Sequence, residues 1–271
     1  MSTIAIVQAR VGSTRLPGKV LTAIGDRPLL RWVLDRLAGS RRLDGIVVAT
    51  STAAQDDVIA QRCGEWGAAV FRGSESDVLG RFAGAADAFH ASTIVRVNAD
   101  NPLIDPAYID QLVAAMADSG VDYASYRRAD GRPVMLTALS FFAEAVSRQC
   151  LDRAAREITD PFEREHVTLG IYRRPDRFDL QWLDVPEFCN DARLRFTLDT
   201  PDDLALLREV IGSLGDRAAA AGAAEIVAHV CSRPQWLETM TRLNDSNPKG
   251  PQNNKLGKLI EPKEAQRPWV Q

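Results

Sequence analysis

Short apolar runs alternate with amphipathic stretches through the first 120 or so residues, and that alternation leaves few folds open. Residues 4–9, 46–50, 68–71 and 93–97 have the length and apolar content of buried strands. Between them, residues 28–37, 53–66, 77–90 and 106–117 read as helices. The first of these has proline in its opening turn and Leu29, Leu30, Val33, Leu34 and Leu37 on one face. Strand and helix taking turns predicts an α/β fold of three layers, with a doubly wound, mostly parallel sheet between helices. After Gly120 the rhythm changes. Residues 121–126 and 133–139 read as strands joined by a turn at 129–132, followed by a helix from Phe141 to about Arg156. Residues 178–185 and 194–198 read as two more strands, 201–214 as a helix, and 219–243 as a helical stretch broken at Pro234.

Bulk composition narrows the function classes. A chain of 271 residues is long enough for a substantial core, and 45% apolar with 25% charged residues is ordinary for a globular protein. The net charge of -3 argues against a general nucleic-acid binder, so any site for a polyanion must be local. The four cysteines, Cys63, Cys150, Cys189 and Cys231, form no CxxC pair, which points to reduced thiols rather than a zinc or redox motif. No basic flank opens the chain and no apolar run reaches the length of a membrane span, so a cytoplasmic protein without a membrane partner is expected. From Asn244 onward Pro, Gly, Asn and Lys dominate. The expected organisation is therefore one domain over 1–243 and a polar tail over 244–271, with Trp269 the residue able to pack the tail on the body.

The sharpest local signal is the segment Gln8-Ala-Arg-Val-Gly-Ser-Thr-Arg-Leu-Pro-Gly-Lys19. It follows a buried strand, so it lies at the carboxyl edge of the sheet, where open α/β folds bind ligands. Arg10, Arg15 and Lys19 bring three cations within ten residues, and Gly12 and Gly18 let the backbone approach a ligand. Fixed cations beside free backbone N–H groups suit a triphosphate. The spacing is not that of a Walker loop, because five residues separate the glycines and Val20 follows Lys19; no GxGxxG fingerprint is present. A solvated basic turn is the plainer alternative, but it does not explain the position at a strand end.

The stretch Arg10-Val-Gly-Ser-Thr-Arg-Leu-Pro-Gly-Lys19 resembles the signature loop of the acylneuraminate and Kdo cytidylyltransferases, and is most similar to the spore-coat polysaccharide branch. Further segments agree in order: Val48-Ala-Thr-Ser51, Phe71-Arg-Gly-Ser-Glu75, the run from Arg96 to Asp105, Phe162-Glu-Arg-Glu-His-Val167 and the run from Thr197 to Asp203. The resemblance implies a fold like that of the nucleotide-diphospho-sugar transferases, and CTP as the nucleotide. It implies nucleotide contacts at Ala9, Arg10, Val11, Gly12, Ser13, Arg15 and Lys19, at Asn98, Ala99 and Asp100, and at Thr50, Ser51 and Arg72 near the base or ribose. A surface arginine beside a turn is the alternative for Arg72.

Asp100 closes the fourth strand and Asp199 follows a later one, so both should point to the edge that carries the loop. Two carboxylates there can hold Mg²⁺, a hard cation that prefers oxygen, and the resemblance places metal ligands at both positions. Capping of the following helix is the alternative for Asp199, and a turn cap before Pro102 for Asp100; Asp105 before Pro106 reads as a helix cap only. In the implied reaction an acceptor oxygen attacks the α-phosphorus, with Lys19, Arg15 and Arg10 stabilising the transition state and the leaving pyrophosphate.

The acceptor side is less determined. Arg127, Arg128 and Arg132 cluster at one turn, and Arg164 and His166 fall in the Arg-Glu-His-Val pattern of the resemblance; solvated surface arginines are the alternative for the first three. These cations suit a small anionic acceptor, and the part over about 121–192 is expected to serve the acceptor and a homodimer contact. Related sequences carry an acidic stretch where this chain has Pro133-Val-Met-Leu-Thr137. A sugar hydroxyl must lose its proton as it attacks, whereas a phosphonate or phosphate monoester is already ionised. The missing acid therefore places a phosphonate or phosphate slightly ahead of a sugar acid. Two rivals stay open: a nucleotide-sugar-dependent glycosyltransferase, although Asn98-Ala-Asp100 holds one acid where such enzymes present two, and a non-catalytic nucleotide-binding protein.

Overall fold

β1 (Thr3–Gln8) runs through the inside of a seven-stranded sheet, and its side chains show how the layers form. Ile4 and Ile6 enter one apolar cluster and Ala5 and Val7 the other, on opposite faces, as strand alternation requires. A strand covered on both faces must be apolar at every position, which is why its pattern is continuous rather than alternating. In the computed structural model, residues 2–246 are described. After β1 come the short strands β2 (Ala23–Ile24) and β3 (Arg27–Pro28), which form a separate two-stranded ladder, then α1 (Leu29–Leu37). The βα alternation continues with β4 (Gly45–Ser51), α2 (Asp57–Glu65), β5 (Ala69–Gly73), α3 (Val78–Ala88), β6 (Thr93–Asn98) and α4 (Pro106–Ser119). The second half holds β7 (Tyr123–Arg127), β8 (Glu144–Ser147), α5 (Arg148–Glu157), α6 (Pro161–Glu165), α7 (Leu169–Tyr172) and β9 (Leu180–Asp184). It ends with α8 (Pro201–Leu214), α9 (Ala223–Cys231) and α10 (Pro234–Ser246).

The strand order is β5-β4-β1-β6-β8-β7-β9. Pairing is parallel from β5 through β6, antiparallel on both sides of β8, and parallel again between β7 and β9. Helices α1, α4 and α8 to α10 pack on one face, and α3, α5 and α7 on the other. The chain leaves β1 in one direction to β4 and β5 and returns on its other side to β6. The switch point therefore lies between the carboxyl ends of β1 and β6, where Gln8 and Asn98 are register partners. No described helix is long and apolar enough to cross a membrane.

Three expected elements differ. Residues 133–139 are not a strand: Val134–Leu136 form a 3-10 turn, because Pro133 has no N–H for a ladder and Thr137 Oγ1 donates back to the Val134 carbonyl at 2.7 Å. The helix expected from Phe141 begins only at Arg148, where the Ser147 side chain caps it by accepting from the Cys150 N–H. Before it runs β8, whose Ala145 and Val146 face opposite clusters; Ala143 and Ala145 masked a period of two behind high helix propensity. Residues 194–198 are extended but join no ladder, since Phe196 N–H donates to the Ala138 carbonyl and Leu198 N–H to that of Asp100. The segment crosses the carboxyl end of the sheet. Phe141 and Phe142 are both buried: Phe141 packs on Phe196 at 4.8 Å between ring centres, and Phe142 sits against Tyr108 and Tyr126 at 4.8 and 4.7 Å. In an irregular segment adjacent rings can reach different neighbours of one core, so neither is left for a partner. α10 extends to Ser246, and the rest of the expected tail, with Trp269, lies outside the described residues.

Candidate active site

The loop after β1 is folded on itself by the Val11 carbonyl, which accepts from Ser13 N–H at 2.7 Å and Gly18 N–H at 3.0 Å. Gly18 has φ of 70°, the left-handed region that glycine adopts without penalty, and from it Lys19–Leu21 turn as a 3-10 helix. The loop is pinned from below. Val11 N–H donates to Asp56 at 2.7 Å, and the other oxygen of Asp56, which is fully buried, accepts from Ser51 Oγ.

This frame aims Lys19 across the switch point. Its ammonium donates to Asp100 at 3.0 Å, to the Leu198 carbonyl at 2.7 Å and to Asp199 at 3.3 Å. Burial alone would lower the Lys19 pKa, but Asp100 and Asp199 outweigh it and hold it above the usual 10.5. Arg15 also reaches Asp199 at 3.1 Å, and Arg10 reaches Glu165 at 3.5 Å. Asp199 does not cap α8. Thr200 and Asp203 form a reciprocal capping box there, and Asp203 also takes the Asp199 N–H at 3.0 Å. Asp105, by contrast, does cap α4, and its second oxygen accepts from Ala223 N–H.

These residues surround a cavity of about 330 Å³ at the switch point. Of the expected nucleotide contacts, Arg10, Gly12, Ser13, Arg15 and Lys19 line it from the loop, and Asn98, Ala99 and Asp100 from β6 and the turn after it. Ala9 and Val11 lie beneath, and Thr50, Ser51 and Arg72 are not at its wall. Thr50 and Ser51 are fully buried, and Arg72 holds the Ser51 and Ala53 carbonyls and pairs with Asp57 at 2.6 Å. The visible work of Ser51 and Arg72 is to fix the segment that carries Asp56.

Of the expected acceptor residues, only His166 lines the cavity. Burial first, then Arg96 and Arg10, lower its pKa from 6.5, so it is neutral at pH 7. Val167 behind it has φ of 54°, a genuine strain for a β-branched residue, of order 1–3 kcal/mol. That turn sets His166 at the cavity and sends Thr168 Oγ1 to Glu144 at 2.6 Å. The structure does not bring the arginines there. Arg127 pairs with Asp184 and Arg132 with Asp130, while Arg128 donates to the Asn190 and Asp191 carbonyls. Arg164 clamps Asp77 and the carbonyls of Ala155 and Ile158.

Sequence reasoning missed Gln8, Arg96, Glu144 and Glu165. Gln8, Arg96 and Glu165 line this cavity, and Glu144 lines a recess beside it. Arg96 alone breaks the apolar run of β6, which was the available signal, and its guanidinium pairs with buried Glu144. Glu144 is a carboxylate near residues 133–137, but Arg96, Tyr123 OH and Thr168 Oγ1 all donate to it.

A basic, glycine-containing loop facing two carboxylates at the switch point of a mostly parallel sheet defines a nucleotidyltransferase. The chain belongs to the cytidylyltransferase family, whose model matches residues 4–223. It is 35% identical over 218 residues to the spore coat polysaccharide biosynthesis protein SpsF of Bacillus subtilis, covering 78% of this chain and 87% of that one. It is 40% identical over 121 residues to a 3-deoxy-manno-octulosonate cytidylyltransferase of Geobacter sulfurreducens, covering 44% and 47%. Among solved structures, a cytidylyltransferase from Leptospira borgpetersenii superposes with a TM-score of 0.79 at 27% identity, covering 88% of this chain and 97% of that one.

Proposed function

We propose that the protein transfers CMP from CTP to a small anionic acceptor in an Mg²⁺-dependent reaction that releases pyrophosphate. The observation that carries this reading is the Lys19 ammonium held between Asp100 and Asp199 above one cavity that Arg10 and Arg15 also line. An acceptor oxygen bonds to the α-phosphorus, and the bond from that phosphorus to the β-phosphate oxygen breaks. Lys19, Arg15 and Arg10 meet the charge that builds on the phosphates, and the cavity wall orients the chain in line.

The carboxylate pair suits a divalent ion. Both residues offer hard oxygen donors, and a cation, the Lys19 ammonium, already sits between them. Among the described residues no group of three or more His, Cys, Asp or Glu side chains could hold a metal, so phosphate oxygens and water would complete the shell. Bound there, Mg²⁺ would offset charge on the triphosphate. Lys19 is then free to move from the carboxylates to the phosphates.

The four arginines that favoured a phosphonate or phosphate are committed to other partners. A neutral imidazole at the cavity, His166, offers the proton acceptor that a hydroxyl needs. We therefore place a sugar acid attacking through a hydroxyl first, in keeping with the name of the Geobacter relative, and a phosphonate or phosphate monoester second. Incubation with CTP, Mg²⁺ and each acceptor class, with pyrophosphate measured, tests the order. Fast turnover of an alkylphosphonate and none of any ulosonic acid would reverse it.

A further inference from the structure

A recess of about 30 Å³ opens beside the loop cavity, and the two share Arg96 and Asn98 in their walls. That volume takes one or two water-sized groups. We propose that this recess reads one hydroxyl of the acceptor, which accepts from Arg96 Nε and donates to Asn101 Oδ1. The inference rests on the acceptor-transfer reading above and adds the subsite that sets acceptor choice.

Two observations select these residues. Arg96 and Asn101 are only 8% and 9% exposed, and both line the recess. Arg96 Nε and Asn101 Oδ1 are buried polar atoms with no hydrogen-bond partner. A folded chain rarely leaves such atoms unmet, and two on residues that line one recess, one a donor and one an acceptor, call for a group that accepts and donates. Neither atom reaches water as the side chains stand, so contact needs a small turn of the guanidinium or the amide. Met135 in the same wall, unbranched and half-buried, can give way.

Charge decides what that group is. Arg96 is already neutralised by Glu144, whose oxygens also accept from Tyr123 OH at 2.7 Å and Thr168 Oγ1 at 2.6 Å. A second carboxylate in the recess would face Glu144 and be repelled. Ionised phosphonate oxygens only accept, so they would leave Asn101 Oδ1 unmet, and the group is too large for this volume. A hydroxyl donates and accepts at once. Val134, Leu139 and Phe142 give it an apolar surround that excludes water and sharpens the discrimination.

The test uses matched acceptors that differ by one hydroxyl. These are 3-deoxy-manno-octulosonate with its single-deoxy analogues, and 2-hydroxyethylphosphonate with ethylphosphonate. Pyrophosphate release gives kcat/KM for each in the wild type, Asn101→Ala and Arg96→Lys; lysine keeps the charge facing Glu144 and lacks Nε. In the wild type, deleting one particular hydroxyl should cost about 100-fold or more, because two buried polar atoms are left unmet. In each variant that same deletion should cost at least about 5-fold less than in the wild type, because one of the two hydrogen bonds is already gone. If Arg96→Lys fails to fold, Asn101→Ala carries the comparison. A merely structural role would lower all acceptors alike and leave the ratio intact, which overturns the inference, as does a wild type indifferent to every hydroxyl. If no acceptor releases pyrophosphate, the transfer reading itself fails and takes this subsite with it.

Discussion

Replacing Lys19 by alanine removes a side chain that bridges Asp100 and Asp199 by hydrogen bonds to both, at 3.0 and 3.3 Å. Its side chain is 13% exposed and that of Asp199 2%, so this is a mostly buried cluster rather than a solvated loop. Viewed from sequence, a phosphate-loop lysine packs little and its loss should spare the fold. The geometry corrects that expectation: two carboxylates would face each other with less compensation, at a cost of about 1–3 kcal/mol. At about 2 kcal/mol the melting temperature should fall by about 4–8 °C. Adding Mg²⁺ should restore more of this loss in the variant than it adds to the wild type, because the ion no longer competes with an ammonium. Turnover should fall by about 30- to 900-fold, corresponding to about 2–4 kcal/mol of transition-state stabilisation. Calorimetry with and without Mg²⁺, together with pyrophosphate release, reads both effects. An unchanged melt with near-wild-type turnover would refute the reasoning.

Asp100→Asn and Asp199→Asn should each abolish Mg²⁺-dependent turnover or raise the metal requirement while melting stays cooperative; loss of melting temperature alone would leave Asp199 a structural residue. Arg127→Ala and Arg132→Ala should keep turnover within about 3-fold of wild type, since exposed ion pairs contribute little. A steep loss of acceptor affinity would return them to the site. Because the folded-state pKa of His166 is depressed, its contribution to stability is full above about 6.5 and is lost as pH falls through the lower folded value. The acid limb of kcat/KM should therefore lie below pH 6.5, and His166→Gln should flatten it; an unaltered limb would remove His166 as the proton acceptor. We also expect a homodimer that uses parts of residues 133–175, with Phe141 and Phe142 excluded by their burial. Light scattering from a monomer at high concentration would contradict this.

How far the residues alone carried depends on how local the physics is. The units from β1 to α4 were legible because their strands are mostly apolar on both faces and α2, α3 and α4 each begin soon after the strand before them. Lys19 and Asp100 were legible because the loop after β1 and the end of β6 share one edge of the sheet; Asp199 reaches that edge without a strand before it, held there by the Leu198 N–H bond to the Asp100 carbonyl. Arg127 and Arg164 find partners remote in sequence, Asp184 and Asp77, which no local pattern reveals. β8 was hidden by Ala143 and Ala145, and with it the burial of Glu144 against Arg96, which no local pattern encodes. Thr50 and Ser51 sit at the correct end of β4, yet that strand end is covered by the segment carrying Asp56, so their side chains face inward.

The central claim is tested most directly by following the α-phosphate. With α-labelled CTP, Mg²⁺ and a panel of ulosonic acids and alkylphosphonates, the account predicts label in a CMP–acceptor conjugate and one pyrophosphate for each CMP transferred. Nucleotide bound without pyrophosphate release across the panel, or release of free nucleotide from a nucleotide sugar instead, would contradict it.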